Sequence, residues 1–312
     1  MHAVPGPGAT PVVECVPNVS EGRDPGVVAQ LAAAVRAVPG VRLMDVHADP
    51  DHHRTVLSWL GHPDAVAAAV LALADVVAAT VDLRHHRGVH PRLGALDVVP
   101  FVPLAGLAMA DAVALAHRVG RALAARLGIP VYYYGHAATR PSRRRLADVR
   151  RGQYEGLAAR LSTPDGAPDE GPARFDPRLG AVAVGARDVL VAYNVWLDRG
   201  TLETARAIAR AVRETGGGLP AVQALGLYLP RRGRAQVSMN LLDYRTTPIP
   251  AAWDRVCAEA ARHGVGVLAA ELVGVAPRAA FAGRSPASVG LGDLPEDRYL
   301  DTHLEAFLRA PA

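Results

Sequence analysis

The chain of 312 residues contains no lysine, and all 34 of its basic residues are arginines. That absence excludes a Schiff-base lysine, a pyridoxal phosphate attachment and the lysine of a phosphate-binding P-loop. Negative charge on a ligand must be met by Arg or by backbone dipoles. The Arg fork grips carboxylates and phosphates through paired hydrogen bonds, so acidic ligands suit such a chain. Cysteine is nearly absent. Cys15 and Cys257 are far apart in sequence, form neither a disulfide framework nor a zinc site, and read as buried thiols of a reducing compartment. The longest apolar run, residues 65–81, is interrupted by Asp75 and is rich in alanine. It is expected to be a buried helix and not a membrane span. Residues 1–11 lack the basic start and apolar stretch of a leader and are expected to fray. A cytoplasmic protein with no membrane partner is the expectation.

What is present is ordinary for a globular protein: 50% apolar residues, 21% charged and a net charge of +4. At roughly 150 residues per domain the length suggests two units. Period and punctuation give the first half strands over 12–19, 41–46, 54–60, 97–104 and 129–134, with helices over 25–38, 64–80 and 109–127. Residues 162–180 carry four prolines and three glycines and read as a linker, placing a boundary near Gly180. The second half has strands over 188–196, 222–229, 234–244 and 265–273, helices over 202–215 and 250–263, and a last helix over 295–308. Three parts are therefore expected: a tail 1–11 and subdomains 12–180 and 181–312. Both subdomains begin strand–helix–strand–strand–helix–strand. That is the split-βαβ, ferredoxin-like order, an α/β (α+β) class with a mostly antiparallel sheet and helices on one face. Each sheet would leave a bare face, and the two are expected to face each other across a substrate cleft.

Polar residues gather in four places. The first is the turn after the first strand, Asn18-Val19-Ser20-Glu21-Gly22; it could hold a ligand or simply lead into a helix cap. The second, Asp45 to Thr55, carries His47, His52, His53, Asp45, Asp49 and Asp51. That density invites a metal reading, with His85, His86 or His90 as further ligands, although no tight metal motif is present. A solvated hairpin whose Asp and Arg residues position one another explains it as well. The third runs from Arg84 to Asp97 and includes Gly88-Val89-His90-Pro91-Arg92. His90 is stiffened by Pro91 and flanked by Arg87 and Arg92. An unperturbed imidazole titrates near ~6.5, so it could take and return a proton at cellular pH. The fourth is Asn194 with Gln236, Ser238 and Asn240. Strand alternation puts the last three on one face, suited to a heteroaromatic ring with its own donors and acceptors or to plain solvent.

The segments Val13-Glu14-Cys15-Val16-Pro17-Asn18-Val19-Ser20-Glu21-Gly22, Gly88 to Asp97, Pro130 to Gly135 and Ala235 to Asp243 resemble glutamate formimidoyltransferase, the transferase part of formimidoyltransferase-cyclodeaminase. The resemblance runs collinearly from about residue 12 to residue 275, and His-Pro-Arg-x-Gly-Ala-Leu-Asp is its most specific piece. It implies two α/β subdomains with a folate cleft, a homodimer, and transfer of a formimidoyl group from N-formimidoyl-L-glutamate to N5 of tetrahydrofolate, a step of one-carbon metabolism and histidine degradation. Tetrahydrofolate is then the co-substrate and no metal is expected. The family's catalytic histidine falls on His90 and its folate segment on residues 171–180, which include Gly171, Pro172, Phe175 and Gly180. Asp45 or Asp49 is expected to orient His90 or balance a cationic amidine. Arg54, Arg87 and Arg92 are expected to grip carboxylates; Asn18, Asn194, Gln236, Ser238 and Asn240 are expected to touch substrate or folate. The family often has Asp at the position of His47 and Asn at that of His53, which leaves an N-formylglutamate donor as an alternative. The chain ends at Ala312 without a cyclodeaminase region, so transfer alone is expected, with a separate cyclodeaminase chain as a candidate partner. Two further readings stay open. One is a metal-dependent hydrolase. The other is a non-catalytic folate-binding or nucleic-acid-binding protein using Arg143, Arg144, Arg145, Arg150 and Arg151, although few aromatics accompany that patch.

Overall fold

The computed structural model describes residues 10–309, so the expected frayed tail lies outside the described residues except for Thr10 and Pro11. The chain divides into two units between Arg187 and Asp188.

The first unit contains β1 (Val12–Cys15), β2 (Asn18–Val19), α1 (Pro25–Arg36), β3 (Val41–Asp49), β4 (Arg54–Gly61), α2 (Pro63–Thr80), β5 (Leu96–Ala105), α3 (Met109–Leu127), β6 (Val131–Gly135), α4 (Leu146–Val149), α5 (Leu157–Leu161) and β7 (Val182–Ala186). Local chemistry sets the boundaries. Asp24 caps α1 by accepting from the amides of Gly26 and Val27, with Pro25 at the first helical position. Gly128, in the left-handed conformation, ends α3. The sheet runs β3–β4–β1/β2–β5–β7–β6, with β1 and β2 both lying between β4 and β5. It is antiparallel as far as β5 and parallel from β5 through β7 to β6. Strands β1, β3, β4 and β5 with helices α1 and α2 make the expected split-βαβ core, and two parallel strands extend it.

Alternate residues of these strands, among them Cys15, Leu57, Trp59, Tyr133 and Val184, pack into one core with the helices. Helix α2 is long and apolar enough, by length and composition, to cross a membrane. Its stripe Val66, Val70, Leu73 and Val77 is buried in this core. The opposite face of β5–β7–β6 carries Val98, Tyr132, Tyr134 and Ala183, covered by Val149, Leu157 and Leu161, with Leu146 and Phe175 packed against them.

That cover corrects the linker reading of residues 162–180. Arg143 and Asp169 form a buried ion pair at 2.6 Å, Tyr132 lies under the guanidiniums of both Arg143 and Arg160, and Glu170 bridges Val131. The glycines here serve close backbone approach rather than flexibility. A Cβ on Gly171 would sit 2.3 Å from the Ile129 carbonyl oxygen, and one on Gly180 2.4 Å from that of Leu93. Residues 182–186 then form a strand inside the sheet. The division therefore falls after Arg187 and not near Gly180. The basic patch is also dissolved in part: Arg143 is buried and Arg150 turns inward, while Arg144, Arg145 and Arg151 are exposed.

The second unit contains β8 (Val191–Leu197), α6 (Leu202–Val212), β9 (Val222–Leu229), β10 (Arg234–Leu241), α7 (Ile249–Arg262), β11 (Val267–Val273) and α8 (Leu300–Arg309). Its sheet runs β11–β8–β10–β9, antiparallel throughout, the expected ferredoxin-like order. Tyr193, Val195, Val237 and Met239 point into a core with α6 and α7. Alternation sends Asn194, Gln236, Ser238 and Asn240 to the other face, with Asn194 directly opposite Ser238.

Candidate active site

Three loops of the first unit meet at one end of its sheet: the turn after β2, the β3–β4 turn, and the long connection between α2 and β5. Backbone chemistry ties them. The Val89 amide donates to the Asp51 carbonyl at 3.0 Å. Arg23 donates to the carbonyls of Pro50 and Arg87 at 2.9 and 2.6 Å. Thr55 donates to the Glu21 carbonyl at 2.5 Å. Gly88 is required by this closeness, since a Cβ there would lie 2.2 Å from the His52 carbonyl oxygen.

His90 hangs from this lattice, half-buried. Its Nδ1 lies 2.8 Å from the Pro91 carbonyl oxygen, and Nη1 of Arg54 lies 2.7 Å from its Nε2 and 3.2 Å from its Nδ1. A guanidinium only donates and a carbonyl only accepts. The neutral tautomer with hydrogen on Nδ1 satisfies the Pro91 contact, and the guanidinium lies against both ring nitrogens. Withdrawal from water holds this imidazole well below its ordinary range, and the positive charges of Arg54 and Arg150 add to the effect. His90 is therefore neutral at pH 7.

The neighbouring histidines are committed elsewhere. His53 and His86 stack with centroids 4.2 Å apart. His86 Nε2 donates to the His53 carbonyl at 2.7 Å, and burial pushes its pKa down to about 4. His53 sits 3.1 Å from the Arg87 carbonyl and 3.4 Å from the Glu21 carboxylate. Burial works against ionisation of Glu21, but hydrogen bonds from His53 and from the amides of Arg23 and Asp24 outweigh it and bring the carboxyl down to about 2. His52 lies tilted against His90 at 5.6 Å.

The remaining expected residues fall into two groups. Asp45, His47 and Asp49 lie opposite Ser58, Val56 and Arg54 in the β3–β4 register, so they share the strand region that carries Arg54. Oδ1 of Asp49 accepts from the amides of Asp51 and His52 at 2.8 and 2.7 Å, which makes it the organiser of the His52–His53 turn. The group orienting His90 Nδ1 is the Pro91 carbonyl, where Asp45 or Asp49 was expected. Asn18 pairs with Val56 and Val98 at the middle of the sheet, and its amide donates to the Val16 carbonyl at 3.2 Å.

Arg92 lines the same concavity as Arg54 and His90, together with Ser20, His52, His53, His86, Pro91 and Asp97. It is buried, donates to Glu155 at 2.8 Å and lies over the Tyr154 ring, while its Nε–H has no acceptor. Arg87 is exposed and donates to the carbonyl of its neighbour His86. Phe175 packs on Tyr154 with centroids at 5.3 Å, which connects the 171–180 segment, with Pro172 exposed, to Arg92. Asn194 is buried and donates to Glu271 at 3.2 Å; Gln236 is buried, and Ser238 and Asn240 are partly exposed.

Several participants were not given a role at the site from the sequence. Asp97 accepts from the Leu93 amide at 2.6 Å and pairs with Arg150, closing the loop behind His90. Arg150 reads in sequence as part of a basic patch because its partner is 53 residues away. Ser20 donates to the Gly94 carbonyl at 2.7 Å, a role its place in the polar turn could have suggested. Among the described residues, no group of three or more His, Cys, Asp or Glu is arranged to hold a metal ion.

The first unit, a ferredoxin-like α+β scaffold, carries a neutral histidine and two guanidiniums in one concavity. The chain belongs to the formiminotransferase family: residues 12–187 match the N-terminal subdomain of the formiminotransferase domain and residues 192–285 match the formiminotransferase domain. Over 296 residues it is 40% identical to glutamate formimidoyltransferase of Thermoplasma acidophilum, covering 94% of this chain and 97% of that one. It is 39% identical to glutamate formimidoyltransferase of Streptococcus pyogenes, covering 86% of this chain and 90% of that one. It is 44% identical over 276 residues to formimidoyltransferase-cyclodeaminase of Gallus gallus, covering 86% of this chain and spanning about half, 51%, of that protein.

Proposed function

We propose that the chain transfers a formimidoyl group from N-formimidoyl-L-glutamate to N5 of tetrahydrofolate, with His90 as general acid and base. Its near-full-length likeness to two proteins named glutamate formimidoyltransferase supports the reaction. The observation that carries the residue assignment is the neutral imidazole of His90 beside Arg54 in a concavity that also holds Arg92. N5 attacks the amidine carbon and must lose a proton; the glutamate nitrogen must gain one before the C–N bond breaks. One imidazole on a stiff loop serves both steps in turn, an effect of typically ~10²–10⁴-fold. Orientation of the two substrates supplies a larger share. Arg54 and Arg92 meet the carboxylates of the donor, and Asn194, Gln236, Ser238 and Asn240 offer donors and acceptors to the folate ring.

The test mixes the protein with tetrahydrofolate and either N-formimidoylglutamate or N-formylglutamate and follows the absorbance of the folate product. Product from the formimidoyl donor alone supports the reading; product from the formyl donor alone replaces it with formyl transfer. Folate binding without product from either donor favours a non-catalytic role, and activity abolished by a chelator favours the metal-dependent hydrolase. The same reading makes the protein a cytoplasmic homodimer working beside a cyclodeaminase chain. Sedimentation at a monomer's mass would remove the dimer.

A further inference from the structure

Two buried side-chain atoms in the lining around His90 have no hydrogen-bond partner: Nδ1 of His86 and Nε of Arg92. They are opposite in kind. Nε2 of His86 donates to the His53 carbonyl at 2.7 Å, so the neutral ring carries its lone pair on Nδ1, and that atom accepts. Burial, with Arg92 and Arg23 adding to it, brings the pKa of His86 down to about 4, so the lone pair is free of a proton at pH 7. The ring is fixed in place, flat on His53 with 4.2 Å between centroids and 6° between planes. The Nε–H of Arg92 can only donate. The side-chain oxygens of the lining are committed. The Asp97 carboxylate accepts from the Leu93 amide and pairs with Arg150, and the Ser20 hydroxyl is turned onto the Gly94 carbonyl. An unpaired buried acceptor and an unpaired buried donor each cost free energy, which a ligand recovers by bringing a donor to one and an acceptor to the other.

We propose that His86 selects an amidine donor over a formyl donor, its Nδ1 accepting a hydrogen bond from the terminal N–H of the formimidoyl group. The inference rests on the transfer reaction proposed above and specifies which group that site takes. N-formimidoyl-L-glutamate carries both complements close together: N–H groups on its amidine, and a carboxylate on the carbon that bears the amidine nitrogen. The amidine donates to Nδ1 of His86 while that carboxylate accepts from Nε of Arg92. Arg54 and Arg92 repel a protonated amidine, so an acceptor fixed in the lining is needed to hold it. N-formyl-L-glutamate puts a carbonyl oxygen where the terminal nitrogen stood. Its lone pairs then face the lone pair of Nδ1, and neither atom has a proton to give. A pocket built to hydrogen-bond a substrate N–H rejects the analogue lacking it, because the pocket's own polar atom is left bare. The terminal nitrogen stays bonded to the transferred carbon before and after transfer to N5. His86 therefore holds the reacting carbon throughout and takes up or releases no proton itself.

The test compares two probes that differ at one atom, N-acetimidoyl-L-glutamate, an amidine, and N-acetyl-L-glutamate, the matching amide. Affinities are measured by calorimetry on the wild-type protein and on His86→Gln. A glutamine amide reaches the place of Nε2 and can keep the bond to the His53 carbonyl, but it offers nothing at Nδ1. Wild type is expected to bind the amidine at least about tenfold more tightly than the amide. In His86→Gln the ratio is expected to fall to about one, through weaker amidine binding alone. A second measurement needs no folded variant: in ¹⁵N-histidine-labelled wild type, Nδ1 of His86 is expected to shift toward the hydrogen-bonded position with the amidine and to stay in place with the amide. A wild-type protein that binds the two equally or binds neither, or a His86 Nδ1 unmoved by the amidine, overturns the assignment. If that happens while N-formimidoylglutamate is turned over, the role of His86 fails and the proposed function stands. If the amidine preference is found and depends on His86 but no donor is turned over, the role of His86 stands and the function fails.

Discussion

The two units are built on one plan and equipped differently. In both, a hairpin turn is followed by a strand that begins with arginine: Arg54 on β4 and Arg234 on β10. Arg54 reaches the imidazole of His90, whereas Arg234 donates to the Asp198 carbonyl at 2.8 Å on the surface. The hairpin turn before Arg54 carries His52 and His53; the one before Arg234 reads Pro-Arg-Arg-Gly. The connection from the second helix to the fourth strand is long in the first unit, residues 81–95, and brings His85, His86 and His90. In the second unit it is residues 263–266. The shared order is scaffold, and the histidine cluster comes with one lengthened loop. The second unit instead carries a row of amides and a hydroxyl on the face of its sheet opposite α6 and α7.

Changes that break what is special to the first unit should do most. Arg143→Ala leaves Asp169 buried without its partner. It should destabilise the protein by about 3–5 kcal/mol in chemical denaturation, as is typical when one member of a buried pair is removed. A loss below about 1 kcal/mol would return residues 162–180 to the status of a linker.

Glu14, on β1, comes next. Burial pushes its carboxyl up to about 7, partly offset by Arg187. The folded protein therefore holds this proton more tightly than the unfolded chain, with its value near 4.5. Its contribution to stability is present below pH 4.5 and is lost as the pH rises toward 7, by at most about 3 kcal/mol. Glu14→Gln should stabilise the protein at pH 8 and change little at pH 4. Equal effects at both pH values would contradict a buried, proton-holding carboxyl.

Gly88→Ala should cost about 1–3 kcal/mol, since the new methyl group meets rigid backbone. Because that backbone belongs to His52, turnover should fall more than the stability loss alone explains. The smallest effect sharpens the comparison from the other side. Arg234→Ala, the counterpart of Arg54, should leave turnover unchanged and stability within about 0.5 kcal/mol. A large loss of turnover would show that the two arginines are equivalent.

The repeating order of elements was legible because each helix and strand carries its own period and its own stops, such as Asp24-Pro25 before α1 and Gly128 after α3. The cluster around His90 was legible because its members sit close together in sequence or share a motif. Residues 162–180 were misread because proline and glycine mark both free linkers and chain pressed against strands. Only the distant partners, Asp169 with Arg143 and Glu170 with Val131, separate the two cases. The roles of Asp49 and Arg54 escaped for the same reason. A sequence places both beside His90, but only geometry distinguishes an aspartate organising a turn from one orienting an imidazole.

The account depends most on the imidazole of His90, and the most direct measurement is the single-turnover rate of His90→Ala with tetrahydrofolate bound. The account predicts unchanged folate affinity, a rate lower by at least about two decades, and partial recovery on addition of free imidazole. A variant that binds folate and transfers the group at the wild-type rate would contradict it.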